Sequence, residues 1–152
     1  MPTKPIWWLT KDGDHACLQL YERHYSARRY ADGRIRGLFC GPGEKVVLRT
    51  ESGDACFAWR RFLDRCIDER TGRPQSGISC AFFRNESRHL SSDLIRQADA
   101  IADVRWPDCR HYTLVHPLAI RSSNPGYCFV RAGWQRCGWT KGGLIILERL
   151  CP

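Results

Sequence analysis

"ISCAFFRNESRHLSSDLIRQADAIADVRWPDCRHYTLVHP", residues 78–117, is the stretch whose reading decides the fold. Its first eight residues are an apolar, aromatic run of strand length, which predicts a strand buried on both faces. The polar stretch that follows leads into a helix. Ser91 or Ser92 is placed to cap it and Asp93 sits in its first turn. Leu94, Ile95, Ala98, Ile101 and Ala102 recur at three- and four-residue steps and make one apolar stripe. Pro107 lies just beyond the helix end, and "HYTLVHP" (111–117) reads as a second strand. A strand, a helix and a strand in this order predict one right-handed parallel crossover.

Working outward, hairpins lie on both sides. "EKVVLRT" (44–50) and "ACFAWRRF" (55–62) flank the turn signal Glu51-Ser52-Gly53-Asp54. "QRCGWT" (135–140) and "GLIILER" (143–149) meet around Lys141-Gly142-Gly143. Near the start, "TKDGDHACLQLYERHYS" (10–26) reads as a helix with Asp12 or Asp14 as cap. A basic loop follows at 27–43, with a short strand expected at 35–39; residues 63–77 read as polar connection with a helical turn. Residues 124–133 form a short helix ending at Gly133, and Trp134 seats that end in the core. The expected class is α/β: one domain over 1–152, layered around a mixed central sheet and closed by a C-terminal hairpin.

The composition narrows the function classes. Hydrophobic residues make up 43% of 152 and six are tryptophan, which argues for a packed globule rather than a disordered chain. No apolar run approaches the roughly 20 residues of a membrane span, and the first residues lack the pattern of a secretory signal. The nine cysteines are odd in number and none are spaced C-x-x-C. They read as reduced, partly buried thiols of a cytoplasmic protein, with no clustered metal ligands. A formal charge of +8 suits a polyanionic partner, either nucleic acid or the phosphates of a cofactor.

The element order of residues 78–150 resembles the GNAT acyltransferase fold, and Phe129-Val-Arg-Ala-Gly133-Trp134 matches that family's Tyr-x-x-x-Gly-Phe pattern. The resemblance implies a GNAT-like three-layer domain with acetyl-CoA or a related acyl-CoA as donor. The family's glycine-bearing pyrophosphate loop is replaced by Arg84–Ser92, which holds no glycine. Phosphate oxygens would then fall to Arg84, Asn85, Arg88, Ser91 and Ser92 at the helix start. Strand N–H groups around Phe83 would face the thioester oxygen. Ser123, Asn124 and Tyr127 would line the acyl end, and Phe129, unlike the family's tyrosine, donates no proton.

A second, narrower resemblance is to the phage Mom DNA-modification proteins, which are GNAT-related enzymes acting on adenine. It rests on His24-Tyr25-Ser26 at a helix end before a basic loop, and on the Ser122-Ser123-Asn124-Pro-Gly126 approach to the last helix. It implies DNA as partner, the host cytoplasm as location, and catalytic roles for His24, Tyr25 and Ser26. For the proton of the incoming amine the candidate bases are His24, Glu86 and His116, of which histidine titrates nearest neutral pH. For DNA phosphates the candidates are Arg23, Arg28, Arg29, Arg34 and Arg36, interleaved with Tyr25 and Tyr30 on which a base could stack.

The function these features point to is acyl transfer to a nucleobase amine in DNA. Two other readings stay open. One is an ordinary N-acetyltransferase for a small amine or a protein lysine, which would turn over without nucleic acid. The other is a non-catalytic relative that only binds DNA.

Overall fold

Residues 78–117 form the strand, helix and strand that their pattern predicts, and the computed structural model describes residues 4–24, 27, 32, 37–119 and 124–151. In chain order the elements are β1 (Trp7–Thr10), α1 (His15–Glu22), β2 (Glu44–Thr50), β3 (Ala55–Arg61), β4 (Ile67–Asp68) and β5 (Arg73–Pro74). Then come β6 (Ile78–Asn85), α2 (Ser91–Arg105), β7 (His111–Val115), α3 (Tyr127–Arg131), β8 (Gln135–Trp139) and β9 (Ile145–Arg149). The mixed sheet runs β1-β2-β3-β6-β7-β9-β8, and β4 with β5 makes a separate two-stranded ladder. Every neighbouring pair is antiparallel except β6 and β7.

Strand alternation builds a core on each face of this sheet. Leu48, Ala55, Phe57 and Trp59 pack against Leu94, Ile95, Ala98 and Ala102 of α2 and Phe129 of α3. Val47, Cys56 and Ala58 pack on the other face against Cys17, Leu20 and Tyr21 of α1, with Phe39. Indole N–H groups pin α2 to the sheet: Trp7 donates to the Leu94 carbonyl at 2.8 Å and Trp59 to that of Ala98 at 3.0 Å. Each fully buried aromatic of this kind contributes about 2 kcal/mol from apolar burial.

One irregularity places the functional site. Ala58 pairs with Phe82 but the next residue, Trp59, pairs with Cys80, so Ala81 is an extra residue on β6. Beyond that bulge the alternation of β6 reverses. Ile78 and Cys80 face the α2 core, whereas Phe82 faces the α1 core and Phe83 returns to the α2 side. A bulge bends its strand and sharpens the local twist. β6 pairs with β7 only at Ile78–His111 and Ser79–Tyr112, whereas β7 pairs with β9 along its whole length.

Several expectations need correction. Asp14, and not Asp12, caps α1, accepting from the Cys17 N–H at 3.0 Å; α1 ends at Glu22, short of residue 26. Asp12 instead accepts from the backbone of Phe39 and Cys40 and pairs with Lys45. Neither Ser91 nor Ser92 caps α2: the cap position is Leu90, which has no side-chain bond to offer. Residues 37–39 carry no strand; 35 and 36 lie outside the described residues. The stretch 63–77 holds the β4–β5 hairpin, which was not expected; the helical turn expected there is its reversal, where the Asp68 carbonyl accepts from the Thr71 and Gly72 N–H groups. Of β6, expected to be buried on both faces, Ala81 is exposed and Phe83–Asn85 are half-buried.

Candidate active site

Where β6 and β7 part, a cavity of about 660 Å³ opens at the carboxyl ends of the two strands. Ala81, Phe82 and Phe83 form one wall, Thr113, Val115 and His116 the other, and α3 closes the side with Tyr127 and Cys128. The crevice at the carboxyl ends of parallel strands is the usual place for a ligand in an α/β sheet.

The sequence of α3 explains how it is held there. Gly126 begins the helix with φ 79°, and a Cβ on it would lie 2.7 Å from the Leu147 Cδ1. At the other end Trp134 N–H donates to the Phe129 carbonyl and Gly133 N–H to that of Val130, with Gly133 at φ 101°. This is a Schellman closure, completed by the Phe129 and Trp134 rings 4.8 Å apart. The glycine and the aromatic therefore set the direction in which the chain leaves α3.

Of the residues singled out from sequence, the cavity brings together His24, Phe83, His116, Asn124 and Tyr127. His24 follows α1, half-buried, with its ring edge-on to Phe82 at 5.1 Å. Burial, and then the Arg84 guanidinium, push its pKa down to about 4, while a hydrogen bond with the Phe83 backbone acts the other way. His24 is thus neutral at pH 7. His116 follows the end of β7 and is exposed; its Nδ1 accepts from the Leu118 and Ala119 N–H groups at 3.2 Å each. Asn124 Oδ1 accepts from Arg136, and Tyr127 is half exposed.

Glu86 lies outside the cavity lining, in an ion-pair cluster. Arg23 Nε and Nη2 donate to its two carboxylate oxygens at 2.9 Å, and Arg84 Nε donates at 2.6 Å. These bonds hold its pKa down to about 2, so it is a weak proton acceptor. Arg84 also donates to the Arg23 carbonyl at 3.1 Å, tying the end of α1 to β6 beside His24.

The loop before α2 is bonded to itself. Asn85 Nδ2 donates to the His89 carbonyl at 2.7 Å and to Ser91 Oγ at 3.0 Å. Its Oδ1 accepts from the N–H and hydroxyl of Ser87, and the His89 N–H donates to Ser87 Oγ. Asn85 and Ser91 are therefore already engaged, while Arg88 is exposed and Ser92 half-buried at the start of α2. Tyr25, Ser26, Arg28, Arg29, Tyr30, Arg34, Arg36, Ser122 and Ser123 lie outside the described residues.

Sequence reasoning did not single out Cys80 and Thr113, which lie at the base of the cavity where Thr113 Oγ1 donates to the Cys80 carbonyl at 3.2 Å. Only the parting of the strands brings them to the cavity floor, and no motif marks either. Burial pushes the thiols of Cys80 and Cys128 up, so both are protonated lining rather than nucleophiles. Also missed is a buried polar network behind the sheet. His111, fully buried, bonds Asp99 at 2.8 Å; Asp99 accepts from the Trp134 indole at 2.9 Å, and Arg149 holds Asp103 through two bonds.

Among the described residues no group of three or more His, Cys, Asp or Glu is arranged to hold a metal ion. No helix among them is long and apolar enough to cross a membrane. Comparison of the chain with protein-family models, with curated proteins and with solved structures gives no match in any of the three.

Proposed function

We propose that this protein transfers an acyl group from an acyl-CoA-type thioester to a nucleobase amine in DNA, in the cytoplasm, on a GNAT-like three-layer domain. The observation that carries this reading is the parting of β6 and β7 beyond Ser79–Tyr112, which leaves a slot walled by strand backbone and closed by α3. The strand order, with its single parallel pair next to a C-terminal hairpin, supports the family resemblance.

The step needs one bond made and one broken. The amine nitrogen bonds to the thioester carbonyl carbon, the C–S bond breaks, and the sulfur leaves with the electron pair. The amine gives up a proton and the thiolate gains one. His24 is the residue of this chain suited to accept the amine's proton, because it is neutral and at the cavity, whereas Glu86 is locked by two arginines. Strand N–H groups near Phe83 suit the carbonyl oxygen as its charge grows. Among the described residues, Arg23 and Arg84 stand together around Glu86, where DNA phosphates would approach, in a chain of net charge +8. The donor's apolar arm suits the lining of Phe83, Val115 and Phe129. Its pyrophosphate would fall to Arg88 and the first turn of α2, since Asn85 and Ser91 are engaged.

That self-bonded loop also favours a second reading, a DNA-binding protein without catalysis. Incubation with acetyl-CoA and DNA, then nucleoside mass spectrometry, separates the two. An acyl mass increment on one nucleoside, lost in His24→Ala, is the expected result. Saturable, salt-sensitive DNA binding with unmodified nucleosides would overturn the transferase reading.

A further inference from the structure

A second cavity, of about 430 Å³, lies at the other end of β7 from the slot, between the β4–β5 hairpin, Arg110 and Glu148 of β9. Apart from Pro74 its lining is polar, so it offers little to an apolar tail or a nucleobase. In its wall Arg110 spends its N–H groups on the protein. Nε donates to Glu148 Oε1 at 2.7 Å, Nη1 to Gln75 Oε1 and the Ser76 carbonyl, and Nη2 to Gln75 Oε1 and Cys137 Sγ. Arg110 and Glu148 thus close on each other as a half-buried ion pair. The charges of the lining left for a ligand are Asp68, Arg70 and Arg73.

Asp68 is only 6% exposed, and its carboxylate packs on β8 where residue 138 is glycine: a Cβ there would lie 2.5 Å from Asp68 Oδ1. That oxygen accepts from the Arg70 N–H at 2.9 Å, and among the described residues no cationic side chain pairs with the carboxylate. A carboxylate so nearly buried and held by one amide is short of a counter-charge. Arg70 and Arg73 line the same cavity from the hairpin. Their guanidinium groups make no hydrogen bond or ion pair among the described residues, with Asp68 or with anything else.

We propose that this cavity is a binding site for an acidic α-amino acid, of the aspartate or glutamate class. The ligand's ammonium pairs with Asp68 and its two carboxylates with Arg70 and Arg73, so that ligand and protein charges answer one for one. A phosphate group, free or in a nucleic-acid backbone, suits the arginines but is repelled by Asp68. A divalent cation suits Asp68 but is repelled by the arginines and lacks ligands, since no group of three His, Cys, Asp or Glu is arranged for it among the described residues. The site does not rest on the transfer reading: the slot and this cavity share no lining residue.

The test is calorimetric titration of the whole chain with L-glutamate, with glutarate, which lacks the ammonium, and with L-glutamine, which lacks the second carboxylate. A thymine oligonucleotide is titrated in parallel. L-Glutamate should bind at one site, about 10-fold or more tighter than either analogue, and should raise the melting temperature when saturating. Arg70→Gln and Arg73→Gln, at exposed positions, should melt like the wild type without ligand and should each weaken L-glutamate binding by about 10-fold. Asp68→Asn keeps an oxygen for the Arg70 N–H and should erase the preference for L-glutamate over glutarate. If that variant fails to fold, the analogue series and the two arginine variants decide. No saturable binding of L-glutamate up to about 10 mM, equal binding of glutarate or L-glutamine, or unchanged affinity in both arginine variants would overturn the proposal. So would an oligonucleotide affinity that falls in the arginine variants while L-glutamate does not bind, which would give those side chains to DNA phosphates. A failure of acyl transfer to DNA leaves each of these outcomes readable.

Discussion

Arg84 acts on two titratable side chains with opposite consequences. Its guanidinium helps to push His24 down to about 4, which leaves that imidazole uncharged at pH 7, and helps to hold Glu86 at about 2, which leaves that carboxyl charged. The sign for stability follows from the lowered folded-state values. The unfolded chain binds His24's proton more readily, so its contribution is fully present above pH 6.5 and is lost as the pH falls from 6.5 towards 4. Glu86 adds a smaller loss between 4.5 and 2, because its pairs are solvent-exposed. NMR titration should show a His24 ring that stays neutral down to about pH 4, its signal absent in His24→Ala. Glu86→Gln should cost under ~1 kcal/mol in urea unfolding. Asp99→Ala should cost about 3 kcal/mol or more, since it strands the buried His111 and Trp134 donors. Both residues were plain in the sequence, but Asp99 sits on the apolar stripe of α2, and hydrophobic periodicity counts only apolar positions.

Among the elements, α3 depends most on backbone conformation. Both of its flanking glycines have positive φ, but only Gly126 abuts another side chain. Gly133→Ala should therefore cost about 1 kcal/mol, from backbone strain alone. Gly126→Ala should cost about 2 kcal/mol or more, because its Cβ also displaces the buried Leu147. Comparative thermal unfolding checks the order of the two. The Gly133-Trp134 closure was legible because a C-terminal glycine followed by an aromatic has one economical geometry. The capping of α2 was not: Ser91 and Ser92 have the right chemistry, but Ser91 faces Asn85 from inside the first turn, and Leu90 takes the cap position. The β4–β5 hairpin was hidden for a similar reason, since its two-residue strands are too short to show a period.

Across the whole molecule, the bulge at Ala81 couples the sheet to the cavity. Ala81 is exposed and lines the slot, so a bulky side chain there fills space without entering either core. Ala81→Trp should weaken acetyl-CoA binding by about 10-fold or more, with a melting temperature within a few degrees of wild type. Calorimetric titration beside a melting curve measures both. DNA affinity should fall with salt, and replacing Arg23 by alanine should reduce the slope of log K against log salt by about one. An unchanged slope would remove that residue from the phosphate contacts.

The sequence by itself determined most of the elements and their succession, though not β1 or the β4–β5 hairpin. Apolar periodicity, glycine turns and the Pro107 stop are properties of neighbours along the chain, and they gave the crossover at 78–116, both hairpins and the short last helix. It also supplied the histidines and arginines as candidates. Tertiary structure alone decided how far β6 and β7 stay paired, which face Phe82 takes, and that Glu86 is ion-paired with Arg23 and Arg84. Each of these depends on one unpaired residue or one long-range contact. A two-residue period cannot register a bulge, and a charged side chain does not declare its partner 61 or 63 positions away.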